Sequence, residues 1–208
     1  THDEDDPAVS VPIFPTPVLG IVGLMKTAEP VGIAFREAGR SIVLVGGLGS
    51  TDAQRFGSSQ YARQILGAVW GLPPALDMDY EKRVHEAVRE IVTTGLAESA
   101  HDLSDGGLAT ALAESSFGAS VGAEVALSSG MRDDFVLFHE GPSRVLVSTT
   151  SPEAVQAVAA RYQVEATLIG STVASQLTIR HNGRLLADVK VEELRGDWES
   201  ALPRLLSN

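Results

Sequence analysis

Gln176-Leu177-Thr178-Ile179-Arg180-His181, then Asn182-Gly183, then Leu185 to Val189: this run decides the fold class. Asn-Gly between two short, apolar-rich segments is the pair that tolerates positive φ at both centres of a two-residue hairpin. An antiparallel strand pair is therefore expected here. Thr167 to Val173 is expected as the strand before it, and Glu192 to Leu202 as a terminal helix or pair of turns. Further upstream, Ser151-Pro152-Glu153 combines a capping residue, a first-turn proline and an acid, which opens a helix expected to reach about Arg161. Arg144 to Ser148 and Ala123 to Leu127 read as strands, and Val136-Leu137-Phe138 runs into the turn His139-Glu140-Gly141-Pro142.

The first half mixes strands with longer helices. Val18 to Met25 and Ile42 to Val45 are apolar and rich in β-branched residues, so both read as strands. Ser59 to Leu66 is a short helix. Asp79 to Thr94 is a long one, with Val84, Val88, Ile91 and Val92 at helical spacing and Gly95 at its end. Ala100 to Leu103 reads as a buried strand and Leu108 to Ser115 as a helix. The sum is an α/β (α+β) domain: a single mixed, largely antiparallel sheet with helices packed on it. Residues 1–11 read as an acidic flexible segment, Pro12 to Pro17 as an extended connector, and residues 12–208 as one domain.

Composition removes several function classes. Twenty-seven acidic residues against 16 basic give a formal net charge of -11, which repels nucleic-acid backbones. No cysteine is present, so disulfides, thiolate catalysis and cysteine-bound zinc are excluded, and a cytoplasmic protein fits. The apolar runs are too short to span a membrane, and the acidic N-terminus is no signal peptide. His2, His85, His101, His139 and His181 show no metal-binding spacing. Trp70, Tyr61 and Phe138 read as core or interface residues.

The strongest chemical signal is His101-Asp102-Leu103-Ser104-Asp105-Gly106-Gly107-Leu108, a strand end, a turn and a helix start. Two glycines let main-chain N–H groups approach a ligand, and a helix N-terminus favours an anion. Asp102 and Asp105 could carry Mg²⁺ on phosphates; equally, Ser104 or Asp105 could simply cap the helix. Gly46-Gly47-Leu48-Gly49-Ser50 follows a strand but lacks the Lys-Ser/Thr of a P-loop, so it reads as a tight turn or a phosphate cradle.

The order of these segments resembles the last domain of the phosphoribosylformylglycinamidine synthase family. The resemblance rests on Pro15-Thr16-Pro17-Val18-Leu19-Gly20 and on Gly57-Ser58-Ser59-Gln60-Tyr61, where Ser58 replaces a glycine and Gln60 an acid. It rests also on the His101 to Leu108 turn and on Leu137-Phe138-His139-Glu140-Gly141-Pro142-Ser143-Arg144, which resembles a strand of that family. It spans about residues 12 to 206. It implies the C-terminal domain fold of aminoimidazole ribonucleotide synthetase-like enzymes, ATP or ADP with Mg²⁺ as cofactors, and a ligase role in purine biosynthesis.

By that resemblance, Asp102, Ser104, Asp105, Gly106 and Gly107 match a nucleotide-binding turn, with Asp102 as the magnesium ligand. Glu140 matches a substrate-binding glutamate, although Gly141-Pro142 replaces the residues that follow it in the family. The implied partners are upstream domains of the same enzyme and, in a small-form enzyme, a glutaminase subunit and a small bridging subunit. The family's catalytic histidine, ATP-contacting lysine and Gly-Asn-x-Ser motif fall before the Pro-Thr-Pro connector, so the 208 residues are expected to be inactive alone. An apolar face that an upstream domain covers should then be open, and the chain should form homo-oligomers. Sedimentation at high protein concentration reads this directly, and a clean monomer would count against it.

Overall fold

The computed structural model describes residues 18–24 and 30–207. Two compact units divide the chain, residues 1–30 and residues 31–208. In the first, the described residues 18–24 form no strand, and Val18, Leu19, Ile21, Val22 and Leu24 are 86–102% exposed. This corrects the strand expected there: apolar, β-branched sequence favours a strand only where a neighbouring strand and a covering layer exist. Met25, the Pro12–Pro17 connector and the acidic segment 1–11 lie outside the described residues.

The second unit carries the sheet. Its strands are β1 (Ser41–Val45), β2 (Ser99–Asp102), β3 (Val121–Leu127), β4 (Val145–Thr149), β5 (Ala166–Ala174), β6 (Gln176–His181) and β7 (Arg184–Lys190). Its helices are α1 (Ala53–Phe56), α2 (Gln60–Gln64), α3 (Met78–Thr93), α4 (Gly107–Phe117), α5 (Asp133–Phe138), α6 (Pro152–Arg161) and α7 (Val191–Leu206). One seven-stranded sheet runs in the order β2-β4-β1-β5-β3-β6-β7. Every pairing is antiparallel except β3 with β6. The hairpin at Asn182-Gly183 has both residues at positive φ, as its sequence requires.

β1 explains why the sheet is covered on both faces. Its side chains alternate, so Ile42 and Leu44 join a core with Leu108 and Leu112 of α4 and Val136 of α5. Val43 and Val45 join a second core with Val84 and Ile91 of α3 and Val155 and Val158 of α6. A strand buried on both faces reads as a continuous apolar run, which is how Ile42 to Val45 reads. The α3 stripe of Val84, Val88 and Ile91 faces that second core, and Gly95 follows with φ +75. α7 lies against α4: Arg195 Nη1 donates to the Phe117 carbonyl at 3.2 Å, and Phe117 meets Trp198 edge-tilted at 5.5 Å.

Two further segments depart from expectation. Leu137 and Phe138, read through the resemblance as the start of a strand reaching Arg144, instead end helix α5 (Asp133–Phe138). Asp133 and Asp134 occupy its first turn, where carboxylates suit the helix dipole, while Phe135 and Val136 turn into the core. Asp133 also holds α5 to the end of β6, bonding the buried His181 Nδ1 at 2.6 Å and pairing with Arg184. α1 was not foreseen; it is one turn, capped by Asp52, whose carboxylate accepts from Gln54 N at 2.9 Å. Both departures concern segments of four to six residues, too short for periodicity to decide.

Candidate functional site

β2 delivers Asp102 to the edge of the sheet, and the chain then turns through Ser104, Asp105 and Gly106 into α4. His101 is anchored by Glu114 of α4, Nε2 to Oε2 at 2.9 Å, with Asp102 3.6 Å from its other ring nitrogen. Asp102 itself is 75% exposed. Neither Ser104 nor Asp105 caps the helix with its side chain. The N-cap is Gly106, at φ +77, without any side-chain cap. Gly107 follows at φ +63, and a Cβ there would come within 2.6 Å of the His139 carbonyl. Only glycine lets the helix start press against the 137–139 backbone.

Glu140 supplies the missing cap from elsewhere in the chain. Its Oε1 accepts from Gly106 N at 2.8 Å and from Gln60 N at 2.8 Å. One carboxylate oxygen thus joins the starts of α4 and α2, where backbone donors otherwise lack partners. The stacked rings of Tyr61 and Phe138, 4.5 Å apart, hold the same segments together, as do Phe56 and Phe135 at 4.3 Å. Tyr61 and Phe138 are packing residues, as their sequence context suggests.

A cleft of about 540 Å³ opens beside this junction, and Asp102, Ser104, Asp105 and Glu140 all line it. Gly106 and Gly107 lie in the adjoining turn. The structure therefore collects four of the six sequence-derived candidates on one wall. It adds Glu81, His85, Ser143 and Arg144, which the sequence did not single out for chemistry. Ser143 holds φ +64 and donates to Glu81, whose other oxygen meets His85 Nε2 at 2.7 Å. Glu81 and His85 sit one turn apart on α3, where nothing in an ordinary amphipathic helix marks them. Arg144 was visible only as the last residue of a motif. Among the described residues no group of three or more His, Asp or Glu side chains could hold a metal ion.

Behind the cleft two buried groups carry unusual electrostatics. Arg144 is 3% exposed, and Nε, Nη1 and Nη2 donate to the carbonyls of Gly141, Leu48 and His139. Burial lowers its pKa to about 10, which leaves it charged at neutral pH. His139 is likewise 3% exposed. Burial, then the nearby Arg144 charge, pulls its pKa down to about 4, opposed by Asp52.

Residues 37–182 match the family of AIR synthase-related proteins, C-terminal domain. The chain belongs to that family. Its seven-stranded mixed sheet with helices on both faces is the family's fold, as the resemblance implied. Phosphoribosylformylglycinamidine synthase subunit PurL of Moorella thermoacetica is 42% identical over 199 residues, covering 94% of this chain and 26% of the relative. The Anaeromyxobacter sp. (strain K) subunit is 41% identical over 207 residues, again 26% of its length. The chain thus spans about a quarter of the curated relatives it matches. Among solved structures, phosphoribosylformylglycinamidine synthase II of Thermotoga maritima superposes with a TM-score of 0.65 at 23% identity, over 79% of this chain and 27% of that one. The form of that protein complexed with FGAR gives 0.69 at 24%, over 79% and 29%.

Two outcomes follow for Glu140 and His139. Glu140→Ala strands two main-chain donors at helix starts and should cost about 1–3 kcal/mol in urea unfolding, with Glu140→Gln, which keeps one acceptor, costing less. An equal loss in both variants would show that Oε1 is not the linking atom. His139 has a folded pKa below its ordinary 6.5, so the unfolded chain binds the extra proton and folding weakens on acidification. Its contribution is complete above pH 6.5 and disappears as pH falls toward 4. The urea midpoint should therefore fall less steeply over that window in His139→Gln than in the parent; identical slopes would rule the histidine out.

Proposed function

We propose that this chain is the C-terminal synthetase-like domain, residues 12–208, of a phosphoribosylformylglycinamidine synthase. That enzyme is an ATP-dependent carbon–nitrogen ligase that turns formylglycinamide ribonucleotide into its amidine. The observation that carries the reading is the cleft wall itself: Asp102, Ser104, Asp105 and Glu140 stand beside a two-glycine turn that begins α4. The named curated relatives support the enzyme. Thermotoga maritima PurL has been solved complexed with ATP, ADP and FGAR, which supports a nucleotide and this substrate.

On this reading the turn holds ATP or ADP phosphates, with the backbone of Gly106 and Gly107 beside them and Ser104 as a hydroxyl donor; in this structure Gly106 N is bonded to Glu140 and Gly107 N to the Ser104 carbonyl. Asp102, with Asp105 beside it, carries Mg²⁺. An exposed carboxylate outside any three-donor cluster fits a cation that brings its other ligands as phosphate oxygens and water. Bound there, Mg²⁺ would neutralise phosphate charge. The protein's part is to bind and orient; the chemistry lies with residues beyond these 208, so the chain alone does not turn over substrate. Upstream domains of the same enzyme complete the site. A glutaminase subunit and a small bridging subunit are the further partners, a reading supported by a Thermotoga maritima PurLQS structure. The setting is cytoplasmic; among the described residues no helix is long and apolar enough to cross a membrane.

One observation favours a second reading, in which this copy of the site is non-catalytic. Glu140 spends Oε1 on two main-chain N–H groups and is followed by Gly141-Pro142, so only Oε2 is left to meet a substrate. Calorimetric titration of Mg·ADP separates the alternatives. The 208-residue chain should bind it weakly, and Asp102→Ala should weaken binding about tenfold or more, as loss of a metal–phosphate ligand does. Unaltered affinity in the variant would remove Asp102 from the site. Absent binding to the parent chain would overturn a nucleotide site built on this domain.

A further inference from the structure

A second cleft, about 270 Å³, shares Pro142 and Arg144 with the first but faces the Gly46–Ser50 loop that leaves β1. It is lined by hydrogen-bond donors that lack acceptors. Arg144 commits three of its five N–H groups to carbonyls, one of them at a long 3.4 Å, and has no carboxylate partner among the described residues. His139 adds another. Its Nδ1 accepts from Gly141 N at 2.9 Å, so the neutral ring carries its proton on Nε2, and that buried nitrogen has no partner. Gly46 N donates to the Glu165 carbonyl at 2.7 Å, whereas the N–H groups of Gly47, Leu48, Gly49 and Ser50 find no acceptor among the described residues.

Among the described residues, His139 Nε2 is the one buried side-chain atom lining this cleft that is left without a partner, and buried donors are satisfied in folded proteins with few exceptions; with the unpaired loop N–H groups beside it, the cleft offers donors to an acceptor supplied from outside. Loop geometry agrees. A Cβ at Gly49 would lie 3.2 Å from both Arg144 Nη1 and His139 Nδ1, so the loop is thinnest directly over these two side chains. Gly46 has a plainer explanation, since a Cβ there would fall 1.8 Å from the Ser143 carbonyl. Two carboxylates border the cleft. Asp52 is engaged, capping α1 and pairing with Arg55 at 3.3 Å. Glu165 is exposed, with Oε2 next to Gly47, and can swing outward.

We propose that the cleft between the Gly46–Ser50 loop and Arg144 binds a phosphate-class oxyanion. The anion is held by the Arg144 guanidinium and the loop N–H groups, beside the His139 ring. Charge-assisted bonds to a buried guanidinium are the strong ones, and consecutive loop amides add a concave set of donors. Glu165 opposes the anion and sets how weakly it binds. The site is separate from the Asp102 turn and does not depend on a nucleotide binding there.

The test is an amide-resolved NMR titration of the 208-residue chain with inorganic phosphate. The amides of Gly47, Gly49 and Ser50 should shift, with half-saturation in the millimolar range, on the order of a few contacts' worth of affinity. Glu165→Gln should tighten binding roughly threefold or more by removing a like charge. Arg144→Met should weaken it about tenfold, and Asp102→Ala should leave it unchanged, which keeps this site's failure distinct from failure of the nucleotide reading. Adenosine monophosphate in a parallel titration identifies the source: tighter shifts of the same amides mean a phosphoryl group on a larger molecule, and equal ones a free anion. The proposal is overturned if those amides stay still up to tens of millimolar phosphate in both the parent and Glu165→Gln. It fails equally if a folded Arg144→Met responds as the parent does. Should Arg144→Met lose its dispersed spectrum, Glu165→Gln alone decides.

Discussion

Four consecutive residues of β1, Ile42 to Val45, are fully buried, and the layers on both faces of the sheet are organised around them. Because strand side chains alternate, this one apolar run must feed two separate cores. Ile42 and Leu44 fix α4 and α5 on one face; Val43 and Val45 fix α3 and α6 on the other. β4 and β5 flank β1 with their ladders, and β2 pairs with β4. Asp102, at the end of β2, and Arg144, just ahead of β4, therefore inherit their positions from the central strand. A polar residue within Ile42–Val45 would unsettle one core or the other, since neither face of that strand is free for it.

Given this frame, the site is assembled by backbone donors more than by side chains reaching for one another. Two helix starts leave an N–H that no local cap reaches: Gln60 N, although Ser59 caps α2 at Ala62 N, and Gly106 N, at a start with no side-chain cap. Glu140 closes both with one oxygen. The cost is that its negative charge is partly consumed in holding structure. That tension is the physical reason the same residue can be read as a substrate ligand from its motif and as a strut from its contacts. The Tyr61–Phe138 and Phe56–Phe135 stacks reinforce the junction with apolar area, so the carboxylate is not the sole link.

The legibility of the sequence followed the length of each signal. β6, the Asn182-Gly183 turn and β7 could be read because turn chemistry and strand propensity agreed. α3 could be read because Val84, Val88 and Ile91 recur at helical spacing. The 101–108 turn was legible as a unit, and its Asp102, Ser104 and Asp105 share one cleft wall with Glu140. Leu137 and Phe138 misled because they open an apolar motif that resembles a strand; the tertiary partners of α5, Phe56 and His181, go with a helix instead. Val18 to Leu24 misled for the opposite reason, since strand-like composition cannot make a strand without a neighbour. Glu81 and the cap supplied by Glu140 were illegible in principle, since they depend on contacts across 34 to 80 residues of chain, and His85 is drawn in only through Glu81.

Arg144 links the two clefts, and its burial explains why they differ in character. The first cleft is bordered by Asp102, Asp105, Glu81 and Glu140, an acidic wall that suits a ligand bringing its own cation. The second has its carboxylates either engaged, as Asp52 is, or exposed at the margin, as Glu165 is, so the guanidinium field there is less offset. Desolvation strengthens that field because fewer water dipoles screen it. Under the two proposals, a single buried cation between an acid-lined and a donor-lined cavity would sort ligands by charge carrier: metal-bound phosphates on one side, bare oxyanions on the other. The Glu140–Arg144 loop is the partition, and its shape depends on carbonyls of Gly141 and His139 staying turned toward the guanidinium. Any change that frees Arg144 from those carbonyls would alter both cavities together.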